Sequence, residues 1–464
     1  MFRNRLVDEL QNEIVEHYNK QPSQELELCS DSRKFENAMA FIAIKGPSFD
    51  GAKFIFSVLD KGCPFAIVNK DSLSSEELKK IKSQYTETEF LVVKNTIDFL
   101  QKLAVARRDE WVEQGGRIIG ITGSNGKTTT KEMIYFLLDY LFPKKVLKTK
   151  GNLNNHLGVP FTLLDLEDSQ EYAIVEMGTN HPGEIGALCE LSKPHHGIIT
   201  SIGKAHLEFF ESIDNILIEK SALFNFVRDN GFEGHQFLLN SLDKKLEQLQ
   251  AFEGCIDLGR DYSYILSNGK IVVSSESGDW IFENQFLKEE YNIQNLVAAA
   301  LLIDQLFPSR RVELTEAISN FQMPKLNRSE WIIDGNKKIF LDAYNANPTS
   351  MEKALDSFSK TLSKEQVAFE DALIVLGDMK ELGPDACELH KELGQFSRKL
   401  GFKKALFIGA HCKDYAEGFG FDGAVCCDNV AEAKIQWNEQ YKTCQYFFLK
   451  ASRSLQLESI LDIK

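Results

Sequence analysis

The segment Gly120-Ile121-Thr122-Gly123-Ser124-Asn125-Gly126-Lys127-Thr128-Thr129-Thr130 constrains the chain more than any other. An apolar run, Arg117–Thr122, leads into it, and a helical pattern follows Lys127. Strand, glycine-rich turn and helix start are the context in which a loop cradles phosphate. Glycines let backbone N–H groups approach phosphate oxygens, and the helix N-terminus adds partial positive charge. In such a loop Lys127 reaches the β- and γ-phosphates of a nucleotide, and the Thr128 hydroxyl reaches Mg²⁺. The strict pattern GxxxxGK[ST] is broken at its first position, where Ile121 stands in place of Gly.

The elements around the loop alternate. Apolar runs at Tyr172–Glu176 and Gly197–Thr200 read as further strands, with helices between them, which predicts a parallel α/β sheet. Upstream, residues 1–95 carry short strand-like runs at Phe41–Ile44, Phe65–Val68 and Phe90–Val93, divided by turn residues. A helix is predicted over Ile97–Gln114. The stretch from Gly254 to Trp280 reads as short β runs, and Asn292–Leu306 as a buried helix. After Met323-Pro324 the pattern restarts, with strands at Ile339–Ala343, Ala372–Leu376, Ala405–Ile408 and Tyr446–Leu449. At 464 residues the chain exceeds one core, and about 150 residues per domain implies roughly three. The expected partition is 1–95, 96–323 and 324–464, all α/β: a small N-terminal domain, a central P-loop-type parallel-sheet domain and a C-terminal Rossmann-like domain.

Bulk properties exclude several classes. A net charge of −15 argues against nucleic acid, whose phosphates need clustered Lys and Arg. Nine cysteines form no CxxC pair, so neither a disulfide framework nor a zinc site is expected, and a reducing compartment is. The N-terminus lacks a signal-peptide core, and no apolar run approaches the ~18 residues a membrane span needs. A cytoplasmic protein, taken to be monomeric, is expected.

The form Thr-Gly-Ser-Asn-Gly-Lys-Thr-Thr resembles the loop of the Mur ligase and folylpolyglutamate synthase superfamily, and further blocks match along almost the whole length. They are Gly151-Asn152-Leu153-Asn154-Asn155, Glu176-Met177-Gly178, Ala205-His206-Leu207-Glu208, Asp342-Ala343-Tyr344-Asn345-Ala346-Asn347-Pro348, Gly377-Asp378-Met379-Lys380-Glu381-Leu382-Gly383 and Lys450-Ala451-Ser452-Arg453-Ser454. The Tyr-Asn-Ala-Asn and Gly-Asp-Met-Lys-Glu-Leu-Gly blocks resemble the MurF branch of the Mur ligase family. That resemblance implies three domains, binding UDP-linked substrate, ATP and the incoming amine in turn. It implies ATP-dependent ligation of D-alanyl-D-alanine to UDP-N-acetylmuramoyl-tripeptide through an acyl phosphate, a step of peptidoglycan synthesis.

Site residues follow from the same resemblance. Gly123, Ser124, Asn125, Gly126, Lys127, Thr128 and Thr129 would hold ATP, with Asn295 at adenine, Arg328 at the phosphates and Asp342 at ribose. Two Mg²⁺ ions are implied, with Thr128, Glu176, His206 and Lys220 as ligands, Lys220 being carbamylated. By residue type alone Glu176 is an ordinary strand-end acid, His206 a structural histidine and Lys220 a solvated cation on a helix. Ser32 and Arg33 would contact uridine diphosphate, and Asn152, Asn154 and Asn155 the muramoyl and phosphate groups, although a run of Asn also forms turns. Asn345, Asn347, Lys450, Ser452 and Arg453 would orient the dipeptide.

Three rival readings are distinguishable. A ligase adding a single amino acid would carry the block Asp-Asn-Pro-Arg, which is absent. A nucleotide switch or transport ATPase explains Lys127 and Thr128 but not the Asn-rich loop or the C-terminal blocks. An inactive sugar-nucleotide binder would be expected to lose Lys127, Glu176 or His206, and all three are present.

Overall fold

The computed structural model describes residues 2–21, 25–267, 269–324, 328–440 and 442–461. Among the described residues, three six-stranded sheets and one three-stranded sheet follow one another along the chain. The first sheet has the order Phe2–Arg3, Glu25–Cys29, Met39–Ile42, Phe65–Asn69, Glu89–Val93, Ile14–Tyr18. Its middle strands are parallel and its two outer strands antiparallel. The three expected strands are its centre. Strand Glu25–Cys29, beside them, has the sequence Glu-Leu-Glu-Leu-Cys, which mixes charge with apolar residues and gives no apolar run to read.

The second sheet is parallel throughout, in the order Cys255–Leu258, Gln236–Asn240, His196–Ile199, Arg117–Thr122, Tyr172–Glu176, Val146–Lys148. Ile118, Ile119 and Ile121 are wholly buried, as are Ala173, Ile174 and Val175. Helices cover both faces of such a sheet, so its strands read as unbroken apolar runs rather than alternating ones. Helix Lys127–Leu141 and the apolar helix Glu290–Leu306 pack together on one face, around Ile134, Leu137, Leu138 and Leu301. Strands Ser263–Ser267, Lys270–Ser275 and Gly278–Glu283 form an antiparallel meander beside them.

The C-terminal sheet runs Glu330–Asp334, Lys337–Asp342, Tyr446–Lys450, Ala372–Gly377, Ala405–Ile408, Ala424–Cys427. Only the first strand is antiparallel. The last strand in sequence inserts between two earlier ones, so strand order reverses there. Open α/β sheets bind ligands at the carboxyl ends of strands beside such a reversal. Asp342 and Lys450 are register partners at that end.

Two histidines pin the second sheet at its opposite end. The Ile118 amide donates to His195 Nδ1 (3.2 Å) and the Gln236 amide to His196 Nδ1 (3.1 Å). Both Nδ1 atoms accept a backbone hydrogen bond and so carry no proton, and burial holds the ring pKa values down, to about 4 for His195 and about 3 for His196. The unfolded chain takes up these protons near pH 6.5 and the folded chain only near 4 and 3. The unfolded state therefore binds more protons in that window, and stability is full above pH 6.5 and lost as pH falls toward 4. Each unit of displacement corresponds to about 1.4 kcal/mol. The urea midpoint should fall by an amount worth a few kcal/mol on that scale between pH 6.5 and 4, and His195→Gln should flatten the slope. A wild-type and a His195→Gln protein with superimposable pH dependence would contradict this.

Candidate active site

The phosphate loop leaves the second sheet at Thr122 and the helix opens at Lys127. Gly123 has φ +147, and a Cβ there would sit 2.0 Å from Thr200 Oγ1, so only glycine lets the loop lie against the neighbouring strand end. The Thr130 amide makes a helical bond to Gly126 O at 2.8 Å, one turn into the helix. The preceding amides precede the regular ladder, which is where a helix start can hold an anion.

The loop opens into a cavity of about 830 Å³ shared by the second and C-terminal sheets. Every site residue singled out from sequence lines it except Gly123, Lys220, Ser32 and Arg33. Ser32 and Arg33 lie on the first sheet's side of the molecule, where the Arg33 guanidinium forks onto Asp31 (2.9 and 2.8 Å). Lys220 is buried in helix Ile213–Asn230, behind the lining. Its reading as a solvated cation fails: burial, followed by the charge of Lys127, pushes its ammonium well below the usual lysine range. Neighbouring Glu219 ties down the loop before helix Glu184–Ser192, accepting from Gly183 N (2.6 Å), Ile185 N (2.7 Å) and Thr179 Oγ1 (3.2 Å).

Glu176 ends the strand beside the loop, as register partner of Ile121. It is 2% exposed. Its Oε1 accepts from Asn154 Nδ2 (2.8 Å) and Thr128 Oγ1 (3.2 Å), and Lys131 Nζ lies 3.4 Å from Oε2. Oε2 is buried without a hydrogen bond. Lys131 was not legible as a site residue, yet it follows Thr128 by three positions, a spacing that puts both on one helix face. Lys127 Nζ donates to Gly123 O at 2.7 Å. Burial lowers its pKa, with Glu176 opposing and Arg328 adding to the shift.

The far wall comes from the C-terminal sheet and its loops. Arg328 lies 3.8 Å over the Tyr344 ring, and its Nε is buried with no hydrogen-bond partner. Lys450 is 2% exposed, paired with Asp342, and donates to Asn345 O at 2.9 Å. Arg453 pairs with Glu458. Asn155 Oδ1 accepts from Leu157 N (3.1 Å) and Gly158 N (2.9 Å), so it shapes its own turn. The two walls touch: Asn347 Nδ2 donates to Asn125 Oδ1 (2.8 Å), Lys204 N to Thr349 Oγ1 (3.0 Å), and His206 pairs with Glu381. Asn347 Oδ1 also caps helix Pro348–Lys364 through Ser350 N at 2.9 Å. Glu381 had no assigned role in sequence, although its block was singled out.

A nucleotide-type loop facing the strand ends of a second α/β sheet is a bipartite site. Residues 121–303 match the Mur ligase middle domain, and residues 327–445 the Mur ligase glutamate ligase domain. The chain is 32% identical to the UDP-N-acetylmuramoyl-tripeptide–D-alanyl-D-alanine ligase of Bacillus subtilis, over 94% of this chain and 92% of that one. It belongs to the MurF branch of the Mur ligase family. The corresponding ligase of Borreliella burgdorferi is 30% identical over 93% and 92% of the two chains. The fold of this Mur ligase superposes on a crystal structure of MurF from Acinetobacter baumannii with TM-score 0.82, at 26% identity, covering 99% of this chain and 97% of that one. Among the described residues no helix is long and apolar enough to cross a membrane.

Proposed function

We propose that this Mur ligase joins D-alanyl-D-alanine to UDP-N-acetylmuramoyl-tripeptide with conversion of ATP to ADP and phosphate. The observation that carries the reading is the single cavity lined by Lys127 and Glu176 on one side and by Arg328, Asn345 and Lys450 on the other. Residues 1–95 serve the UDP-linked substrate, 96–323 ATP, and 324–464 the dipeptide. The enzyme works as a cytoplasmic monomer.

The chemistry joins two anions. An oxygen of the tripeptide's terminal carboxylate attacks the γ-phosphorus, the bond to the β-bridging oxygen breaks, and ADP leaves. The dipeptide amine then attacks the acyl carbon, the C–O bond to phosphate breaks, and phosphate leaves as the amine loses a proton. Lys127 and Arg328 offset the charge that gathers on the transferring group. Arg328, stacked on Tyr344 with its Nε unpartnered, is oriented for this before ligand arrives.

A divalent cation fits the residues present. The buried Glu176 Oε2, which accepts no hydrogen bond, and the Thr128 hydroxyl form a hard-oxygen donor set, the type Mg²⁺ prefers. When bound, Mg²⁺ neutralises phosphate charge. His206 and Lys220 would serve a second ion. Carbamylation suits Lys220 because only a neutral amine attacks CO₂, and burial favours that neutral form.

The dipeptide presents an amine, an amide and a distal carboxylate. Free D-alanine, lysine and diaminopimelate each lack the dipeptide's amide with a carboxylate at that separation, leaving polar groups of the site unpaired at a cost of about 1–3 kcal/mol. D-alanyl-D-alanine should therefore be ligated roughly tenfold to a hundredfold better than any of them. Steady-state phosphate release with each amine, with products identified by mass spectrometry, checks this. A free amino acid that matched the dipeptide would overturn the substrate assignment while leaving the ligase chemistry standing.

A further inference from the structure

The cysteines form no metal motif in sequence, but the C-terminal fold assembles one. Cys387 lies in the first turn of helix Ala386–Lys399, His411 precedes helix Cys412–Phe419, and Asp414 lies in that helix's first turn. Cys387 Sγ is 3.9 Å from His411 Nδ1, which is 2.8 Å from Asp414 Oδ2. All three donor atoms lie within 4.8 Å of one another. None of the three residues lines the catalytic cavity. We propose that Cys387, His411 and Asp414 bind a thiophilic divalent cation of the Zn²⁺ class, with the fourth position open to solvent.

The donor set and its size both fit. Sulfur, imidazole nitrogen and carboxylate oxygen are the ligands Zn²⁺ takes, at about 2.0–2.3 Å, which gives tetrahedral edges of roughly 3.3–3.6 Å. The observed separations of 3.9 Å and 2.8 Å lie on either side of those edges. Mg²⁺ prefers oxygen and would pass this site over. The metal displaces the Cys387 thiol proton, Cys–SH + M²⁺ giving Cys–S–M⁺ + H⁺, while His411 ligates through Nδ1 as a neutral ring that keeps its proton on Nε2.

The carriers are held in place. Asp378 accepts from the amides of Ala410 (3.0 Å) and His411 (3.1 Å). His390 stacks on His411 at 4.3 Å, bonds Ala386 O at 2.5 Å and accepts from Met379 N at 3.0 Å. The two helices are pressed backbone to backbone, since a Cβ on Gly394 would meet Tyr415 O at 2.2 Å and one on Gly418 would meet Lys391 O at 2.0 Å. Such outer support is what keeps metal ligands in productive geometry. Asp378 and Met379 belong to the same segment as Glu381, so the site's scaffold and the catalytic wall share a backbone.

Co²⁺ is a direct probe, because a Co–thiolate bond absorbs in the near ultraviolet and Co²⁺ bound only by oxygen and nitrogen at the Mg²⁺ sites does not. Full-length protein, reduced and metal-free, should develop that band with one Co²⁺ per chain and lose it on adding one equivalent of Zn²⁺. Cys387→Ser should abolish the band, and Asp414→Asn should weaken Co²⁺ binding by at least about tenfold, both with unchanged circular dichroism. Cys426→Ser should leave it intact. If Cys387→Ser misfolds, Asp414→Asn decides alone. Absence of the band, its loss in Cys426→Ser, or Co²⁺ affinity unaltered in Asp414→Asn would each overturn the proposal.

Discussion

Lys127→Ala is expected to lower kcat by about 10²- to 10³-fold or more, with secondary structure unchanged. The side chain contributes little to the fold: its recorded hydrogen bonds go to Gly123 O and Ser124 O within its own loop. Its value lies in the charge it presents to a γ-phosphate being attacked by a carboxylate. In a water-poor cavity such a preorganised cation is worth several kcal/mol to the transition state, and removing one donor of this type costs about 10²–10³-fold. The effect should fall on kcat and on kcat/KM together, because the charge it answers develops during transfer. Lys127→Met, which keeps the apolar stem, should be equally impaired. Single-turnover phosphate release is the measurement, and a folded Lys127→Ala enzyme within a few-fold of wild type would remove the phosphate-loop assignment.

The second large effect concerns Lys220. A buried lysine with no counter-ion against it is costly as a cation. Here burial and Lys127 both drive it toward the neutral amine, with only Glu219 opposing. That amine can add to CO₂, losing a proton to give an anionic carbamate. Under the proposed function that change would supply an oxygen donor for Mg²⁺ and place an anion near Lys127. Lys220→Ala should lose about a hundredfold or more of its activity, the upper end of what disrupted metal sites lose. Short carboxylic acids should restore part of it by occupying the vacated volume. Lys220→Met separates the amine from packing, since it fills the space without the nitrogen. With ¹³C-bicarbonate, the wild-type protein should show a carbamate carbon resonance that Lys220→Met lacks. Full activity in Lys220→Met would contradict the role.

The parts of this site that local pattern carries were legible in sequence. Arg117–Thr122 and Tyr172–Glu176 end where the apolar runs end, because parallel strands buried on both faces announce themselves. Gly123 and Gly126 mark the loop for the same local reason. What the sequence did not disclose is set by distant partners. Asp342 and Lys450 meet across strands 108 positions apart, and Asn125 meets Asn347 across 222. Those pairings commit side chains that looked free to receive the dipeptide. Lys131 was overlooked because a lysine next to Glu132 on a helix reads as surface charge. It is buried only because helix Lys127–Leu141 turns that face toward Glu176. Lys220 was hidden in the same way, its burial decided by tertiary packing. The Cys387, His411 and Asp414 cluster joins two helix starts, and no spacing rule covers that.

The acyl phosphate is the centre of the mechanism, and the fate of one oxygen tests it most directly. UDP-N-acetylmuramoyl-tripeptide labelled with ¹⁸O in its terminal carboxylate is turned over with ATP and D-alanyl-D-alanine, and the released phosphate is analysed by mass spectrometry. Attack of that carboxylate on the γ-phosphorus, followed by amine attack at carbon, leaves one labelled oxygen in every phosphate and the other in the new amide. Phosphate without label, released alongside the ligated product, would contradict it.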